Sequence, residues 1–174
     1  MRETEVKILE IDRAAVIKRL KALGSAKRVF SARLENRYYD FTGSPLARGN
    51  VVLRLRKQGR DGILCVKRHR TGKRVKEMEE HEQKVDFSRT KKLLESLGLV
   101  CVKALSKRRE RWQLGKIHFE FDQYLGKHRR IPEFLEIEAN NEREVFAAAK
   151  ALGFSPRDCL DWGADKLLAH YGLR

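Results

Sequence analysis

Glu3-Thr4-Glu5-Val6-Lys7-Ile8, at the start of the 174-residue chain, alternates ionised and apolar side chains. Successive residues of a β-strand point to opposite faces, so Glu3, Glu5 and Lys7 share one face of a predicted strand while Val6 and Ile8 share the other. The same division recurs downstream. Arg54 and Arg56 oppose Leu53 and Leu55, Lys67 opposes Leu64 and Val66, and Glu120 and Asp122 oppose Phe119 and Phe121. Glu136 and Glu138 oppose Leu135 and Ile137, and Lys107, Arg109 and Arg111 share one parity. Alternation predicts strands over 36–41, 51–57, 62–68, 107–114 and 116–124, with Leu114-Gly115-Lys116 as a tight hairpin turn.

A unit of Glu-x-Glu strand, polar turn and amphipathic helix occurs three times. The first runs from Glu3-Thr4-Glu5 through Asp12 into a helix bearing Val16, Leu20 and Leu23, closed by Gly24. The second runs from Glu80-His81-Glu82 through Asp86 to Leu93, Leu94, Leu97 and Gly98. The third runs from Glu136-Ile137-Glu138 to Asn141, whose spacing to Glu144 reads as a capping box before Val145, Phe146, Ala149, Leu152 and Gly153. A last helix over 164–171 presents Leu167, Leu168 and Tyr171. Helices packed on the apolar strand faces leave every charged face on the other side of the sheet. Such a sheet either stays open with that face in water or closes around a charged interior. A solvated face usually mixes signs, but here acids group with acids and bases with bases. Crowded like charges cost energy unless a cation sits among the carboxylates and a polyanion among the bases.

Composition fits one folded domain over 1–174: 41% hydrophobic and 36% charged residues, only three prolines, and no Pro/Gly/Ser-rich linker. No stretch approaches the ~20 apolar residues of a membrane span, and the N-terminus lacks a basic-then-apolar leader, so a cytoplasmic protein is expected. Cys65, Cys101 and Cys159 are too scattered for a disulfide framework or zinc ribbon and read as reduced core residues. The five histidines form no metal-binding spacing. Lys and Arg total 39 against 24 Asp and Glu, a formal charge of +15, so an anionic partner is expected.

The motifs in order resemble the CYTH, or triphosphate tunnel metalloenzyme, superfamily. Glu3-Thr4-Glu5-Val6-Lys7 resembles its ExExK signature, Tyr38-Tyr39-Asp40 its YxD strand, Leu53-Arg54-Leu55-Arg56 its LRxR strand, and Lys67 its single strand lysine. Glu80-His81-Glu82, Lys107-Arg108-Arg109 (KxR), Asp122 with Gly126, and Phe134-Leu135-Glu136-Ile137-Glu138 (EIE) follow. The resemblance implies an α+β protein: a closed eight-stranded antiparallel β-barrel, the triphosphate tunnel, with amphipathic helices outside. It implies Mg²⁺ or Mn²⁺ and a triphosphate-bearing small molecule such as ATP, thiamine triphosphate or tripolyphosphate. Carried over by position, Glu3, Glu5, Glu82, Asp122, Glu136 and Glu138 would hold metal. Lys7, Arg54, Arg56, Lys67, Lys107 and Arg109 would bind phosphate, as would Lys166, which lies where some members place a tunnel-closing lysine. Glu5 or Glu138 would activate water, with Lys7 beside them.

These residues suit the chemistry. Mg²⁺ takes a few carboxylates plus phosphate and water. Arg grips phosphate with two prongs, and Lys with a point charge. The expected activity is metal-dependent triphosphate hydrolysis releasing phosphate. The alternatives are a class IV type adenylyl cyclase, whose members often carry His-Phe ahead of ExExK where this chain begins too late to hold it, and a non-catalytic polyphosphate or RNA binder. A binder would have no use for so many inward acids, so nucleic acid is not the favoured partner; monomer and homodimer both stay open. Tyr38 and Tyr39 read as barrel packing, and the basic runs Lys67-Arg68-His69-Arg70 and Lys127-His128-Arg129-Arg130 as surface loops.

Overall fold

Two-residue alternation can bury one face of a strand and wet the other, and a sheet built so throughout must curl shut to give its wet faces a shared interior. The computed structural model describes residues 2–59, 61–70 and 76–173, with 2, 3, 69, 70 and 76–78 described by backbone alone. The side chain of Glu3 and the basic segment 71–75 therefore lie outside the described residues. The strands are β1 (Arg2–Ile8), β2 (Lys27–Asp40), β3 (Val51–Gln58), β4 (Asp61–Arg70), β5 (Lys76–Val85), β6 (Val100–Leu114), β7 (Ile117–Tyr124) and β8 (Phe134–Ala139). They close into an antiparallel barrel in the order β1-β5-β4-β3-β2-β6-β7-β8. β1 is the closing strand: it pairs with β8 from Thr4–Ala139 to Ile8–Leu135 and with β5 from Arg2–Glu79 to Glu5–Lys76. Further along β1, Lys7 exchanges two backbone hydrogen bonds of 2.8 Å with Leu160.

The three repeated units form as the sequence predicts. Helices α1 (Arg13–Ala22), α3 (Phe87–Ser96) and α4 (Glu142–Ala151) begin at Asp12, Asp86 and Asn141, whose side chains accept from the amides of Ala15, Arg89 and Glu144. Asn141 also donates its side-chain amide to the Glu144 carboxylate at 2.9 Å, so the reciprocal bond of the expected capping box comes from the side chain instead of the backbone N–H. Gly153 ends α4 at φ +80°, where Arg19 of α1 reaches across to donate to the Leu152 carbonyl; a Cβ on Gly153 would meet that guanidinium at 2.7 Å.

Helices α1 and α4 cover the apolar faces of β1, β7 and β8, joining Val16, Leu20, Val145 and Leu152 to Val6, Phe119, Phe121 and Ile137. Helix α3 covers β3 and β4 around Leu55, Leu94 and Leu99. Helix α5 (Ala164–His170) packs Leu167 and Leu168 against Leu105, Tyr124 and Phe134. Each such side chain contributes about 1.5–3 kcal/mol on leaving water.

Several expectations are corrected. β2 and β6 extend well beyond 36–41 and 107–114 because they pair along almost their whole length, through register shifts at Arg28/Phe30 and Tyr38/Tyr39. Lys67-Arg68-His69-Arg70 is strand, not surface loop. His128 is buried edge-on to Tyr124 within a short 3-10 turn, Gly126–His128, so the second basic run is not a free loop either. Cys101 is exposed rather than core, while Cys65 is buried and Cys159 half-buried. Phe119 is fully buried whereas Leu97 is 68% exposed. Phe119→Ala should therefore lower unfolding free energy by about 3–5 kcal/mol in urea titrations and Leu97→Ala by less than about 0.5 kcal/mol.

Candidate active site

The charged strand faces enclose a cavity of about 540 Å³. Eight Lys or Arg and eight Asp or Glu line it, so its described side chains balance in charge and the +15 of the chain is carried elsewhere. Register sets their neighbours. Arg109 stands opposite Asp122, Arg111 opposite Glu120, Glu120 opposite Glu136, Glu136 opposite Lys7, and Glu138 between Glu5 and His118.

Arg109 is the hub of one wall. Its guanidinium donates to Asp122 through Nε (2.7 Å) and Nη2 (2.5 Å), to Glu136 (2.5 Å), and pairs with Glu120. Lys107 adds a 2.5 Å contact to Asp122, and Arg111 pairs with Glu120. Lys7 lies 2.8 Å from Glu136 and 3.3 Å from Glu5. On the facing wall Arg54 reaches Glu80 (3.4 Å) and Glu82 (3.2 Å), Arg56 reaches Glu82 (3.2 Å), and Lys67 pairs with Glu80. The Cys65 thiol donates to Glu80 at 2.9 Å, and burial beside that carboxylate pushes it up to about 12. The Nε–H groups of Arg54 and Arg56 are buried and have no acceptor among the described residues.

Burial alone would make Lys7 easier to deprotonate, but Glu136 and Glu5 overcome it and hold the ammonium above its ordinary value. Burial would likewise raise Glu136, yet Lys107, Lys7 and Arg109 bring its carboxyl well below the usual range. Glu120 goes the other way: burial holds it above that range despite Arg109 and Arg111. Glu138 is lowered, burial being outweighed by the His118 hydrogen bond and by Arg111.

The structure thus brings Glu5, Lys7, Arg54, Arg56, Lys67, Glu82, Lys107, Arg109, Glu136 and Glu138 to one cavity. Asp122 is packed beneath Lys107 and Arg109 with a fully buried side chain, so its carboxylate is a support for two bases before it is anything else. Lys166 does not arrive: it points to solvent and meets Asp161 at 3.4 Å, while its neighbours Gly163, Ala164 and Asp165 reach the cavity. Asp40 serves the fold, accepting from the amides of Phe41, Leu46 and Ala47 and so fixing the short helix α2 (Pro45–Arg48). Tyr39 packs in the core and Tyr38 against the Leu105 cluster, as expected; both also border the cavity, Tyr38 with Lys103 over its ring. Glu120, Arg111, His118 and Lys103 are cavity residues that motif matching passes over. Strand parity carries the signal for the first three, since Glu120 shares a face with Asp122, Arg111 with Arg109, and His118 with both acids.

Glu120, Asp122 and Glu136 offer oxygens within 4.8 Å of one another, but Arg109 already sits among them. Removing one partner of a buried pair strands the other's charge. Asp122→Asn should therefore cost about 3–5 kcal/mol of stability by urea titration. The lowered Glu136 pKa stabilises the fold above the ordinary Glu value and that stability is lost as pH falls through the folded value. The urea midpoint of the wild type should decline below about pH 4.5, more steeply than that of Glu136→Gln.

A family model for the CYTH domain matches residues 1–158. Among solved structures, a protein from Pyrococcus horikoshii superposes with a TM-score of 0.77 at 24% identity, covering 95% of this chain and 98% of that one. A putative adenylate cyclase from Vibrio parahaemolyticus gives 0.78 at 18% identity, covering 96% and 97%. A putative adenylyl cyclase from Hippeastrum, described as having a dominant triphosphatase activity, gives 0.69 at 17% identity, covering 99% and 96%. No curated protein matches the chain by sequence. A family match over nine-tenths of the sequence, on a barrel whose structural neighbours span the same length, leads to one conclusion: the chain belongs to the CYTH domain family.

Proposed function

We propose that the chain is a metal-dependent hydrolase of a triphosphate-bearing substrate, releasing phosphate. The observation that carries this reading is the convergence of Arg54, Arg56, Lys67, Lys107 and Arg109 on one cavity. The buried Nε–H groups of Arg54 and Arg56 have no acceptor among the described residues; an unmade buried donor costs about 1–3 kcal/mol, more for a charged group, which favours a shift of both side chains toward phosphate oxygens. Lys67 and Lys107 extend the same cradle as point charges, and Arg109 closes it opposite.

Charge balance supports a divalent cation. The lining is neutral among described residues, so the four or so negative charges of a triphosphate need compensation that the protein does not supply in net terms. Glu5 and Glu138 stand directly opposite across β1 and β8, both facing the cavity, which disfavours the pair unless a cation lies between or beside them. Hard carboxylate oxygens of this kind fit Mg²⁺ or Mn²⁺. We assign Glu5 and Glu138 as the ligands, with Glu136 behind them and Glu3 as the remaining expected contributor; Glu82 and Asp122 are committed to Arg56 and Arg109. When bound, the ion would neutralise charge on the phosphate oxygens.

The side chains then divide the work. Arg54, Arg56, Lys67, Lys107 and Arg109 orient the phosphates in line, which is most of what phosphoryl transfer asks of a protein. Lys7 is kept protonated by Glu136 and Glu5 and presents a fixed positive charge at the acidic wall. Glu138, ionised and 3.8 Å from His118, is placed to take a proton from the attacking water as the bond from the terminal phosphorus to its bridging oxygen breaks. Hydrolysis is preferred to cyclisation because the Hippeastrum protein, on the same fold, is described as having a dominant triphosphatase activity. The Vibrio protein's description as a putative adenylate cyclase makes cyclisation the reading to test against.

Tripolyphosphate, thiamine triphosphate, ATP and GTP should be assayed with Mg²⁺ or Mn²⁺ while phosphate, pyrophosphate and cyclic nucleotide are followed together. Phosphate release is expected; cyclic AMP with equimolar pyrophosphate would overturn hydrolysis. Arg56→Ala should raise the KM for its substrate by about tenfold or more, the scale of one charged hydrogen bond. Glu5→Gln should lower kcat by at least about a hundredfold while leaving the urea midpoint close to wild type, which separates a lost metal ligand from a lost fold.

A further inference from the structure

Lys103 sits at the end of the cavity next to α5. Its ammonium lies 4.6 Å from the centroid of the Tyr38 ring and 2.5 Å from an Asp165 carboxylate oxygen. All three line the cavity, together with Val51, Val52 and Ala164. Asp165 is largely open to water, its side chain 84% exposed, so solvent reaches this end. The phosphate cradle lies deeper. Lys103, Lys107 and Arg109 share the inner face of β6, and four residues of strand set Lys103 about 13 Å from Lys107. A triphosphate gripped at Lys107 and Arg109 would therefore leave its head group facing Tyr38, where Val51, Val52 and Ala164 accompany the Lys103–Asp165 pair.

Tyr38 offers the π-face that a flat ring would pack on, and Asp165 the carboxylate that a cation would seek, but Lys103 already takes both. A cationic ring would have to displace the ammonium and then meet its like charge. A neutral, electron-rich ring can pack against the lysine and tyrosine as they stand. We propose that Lys103, held by Tyr38 and Asp165, selects the head group of the substrate, admitting triphosphates of neutral aromatic bases and rejecting those whose ring carries a positive charge. The proposal rests on reading the cavity as a triphosphate site and narrows the substrates that site accepts.

Equilibrium binding by isothermal titration calorimetry tests it, with Mg²⁺ present and three probes: the β,γ-imido analogue of ATP, the matching imido analogue of thiamine triphosphate, whose thiazolium is cationic, and tripolyphosphate. Wild type should bind the adenosine probe at least about tenfold tighter than the thiamine probe, the order that one cation–π or partly screened charge contact supplies. Lys103→Met, which keeps the length and removes the charge, should shrink that ratio about tenfold, and Lys103→Arg should preserve it. Melting curves of both variants should overlay the wild type, because Lys103 is a rim residue. A ratio that Lys103→Met leaves unmoved, while tripolyphosphate still binds, overturns the proposal and leaves the triphosphate reading standing. Failure of all three probes to bind overturns both.

Discussion

Arg109 cannot be buried alone. A guanidinium withdrawn from water needs counter-charge and acceptors at close range, and two strands supply them: Asp122 and Glu120 from β7 and Glu136 from β8. Those acids are in turn buried and need Lys107, Arg111 and Lys7. The network locks register, because a slip of one residue in any of the strands would turn each ion outward into the hydrophobic layer and each apolar neighbour into the cavity. Buried ion pairs contribute little net stability compared with apolar groups of the same shape. Their effect here is geometric: they hold several cations at fixed positions before any ligand arrives.

The fold that tolerates this arrangement is turned inside out relative to an ordinary small barrel. Most of its hydrophobic material lies between the outer wall and the helices, where α1 and α4 bury Val6, Phe119, Phe121 and Ile137, while Leu105, Tyr124 and Phe134, on the charged parity, meet α5. The helices are therefore the other half of the core, which explains why each Glu-x-Glu strand is followed by an amphipathic helix capped at both ends. The acids are also unequal. Glu120 and Glu136 sit on adjacent strands with pKa values pushed in opposite directions, a consequence of how many bases each meets against the burial they share.

Much of this was legible in residue parity. Glu5, Lys7, Arg54, Arg56, Arg109 and Glu138 declared their shared interior because period-two alternation survives whatever the barrel does later, and the caps Asp12, Asp86 and Asn141 are local chemistry. What parity could not convey was depth. Asp122 and Glu138 look alike in sequence, yet one is sealed under two bases and the other faces the cavity, a difference set by neighbouring strands. Lys166 misled because its position in the chain is right and its helical facing is not: one residue earlier, Asp165 turns toward the cavity. Lys103 was invisible, since it lies on the half of β6 that only pairing with β2 reveals as strand. The Cys65 position was read as ordinary core, and nothing local announced that its thiol would donate to Glu80.

On the side of β1 away from β8, Lys7 bridges to Leu160. Sheets are vulnerable at their rims, where unsatisfied amides and carbonyls can recruit a strand from another molecule. In this barrel the backbone of Lys7 is stitched to Leu160, so the chain covers that point of the strand edge with a segment of its own. That patch lies directly behind Lys7. Loosening of the Leu160 contact would thus bare the Lys7 amide and carbonyl and disturb the acidic wall in one movement, tying the cover of that edge to the integrity of the charged interior.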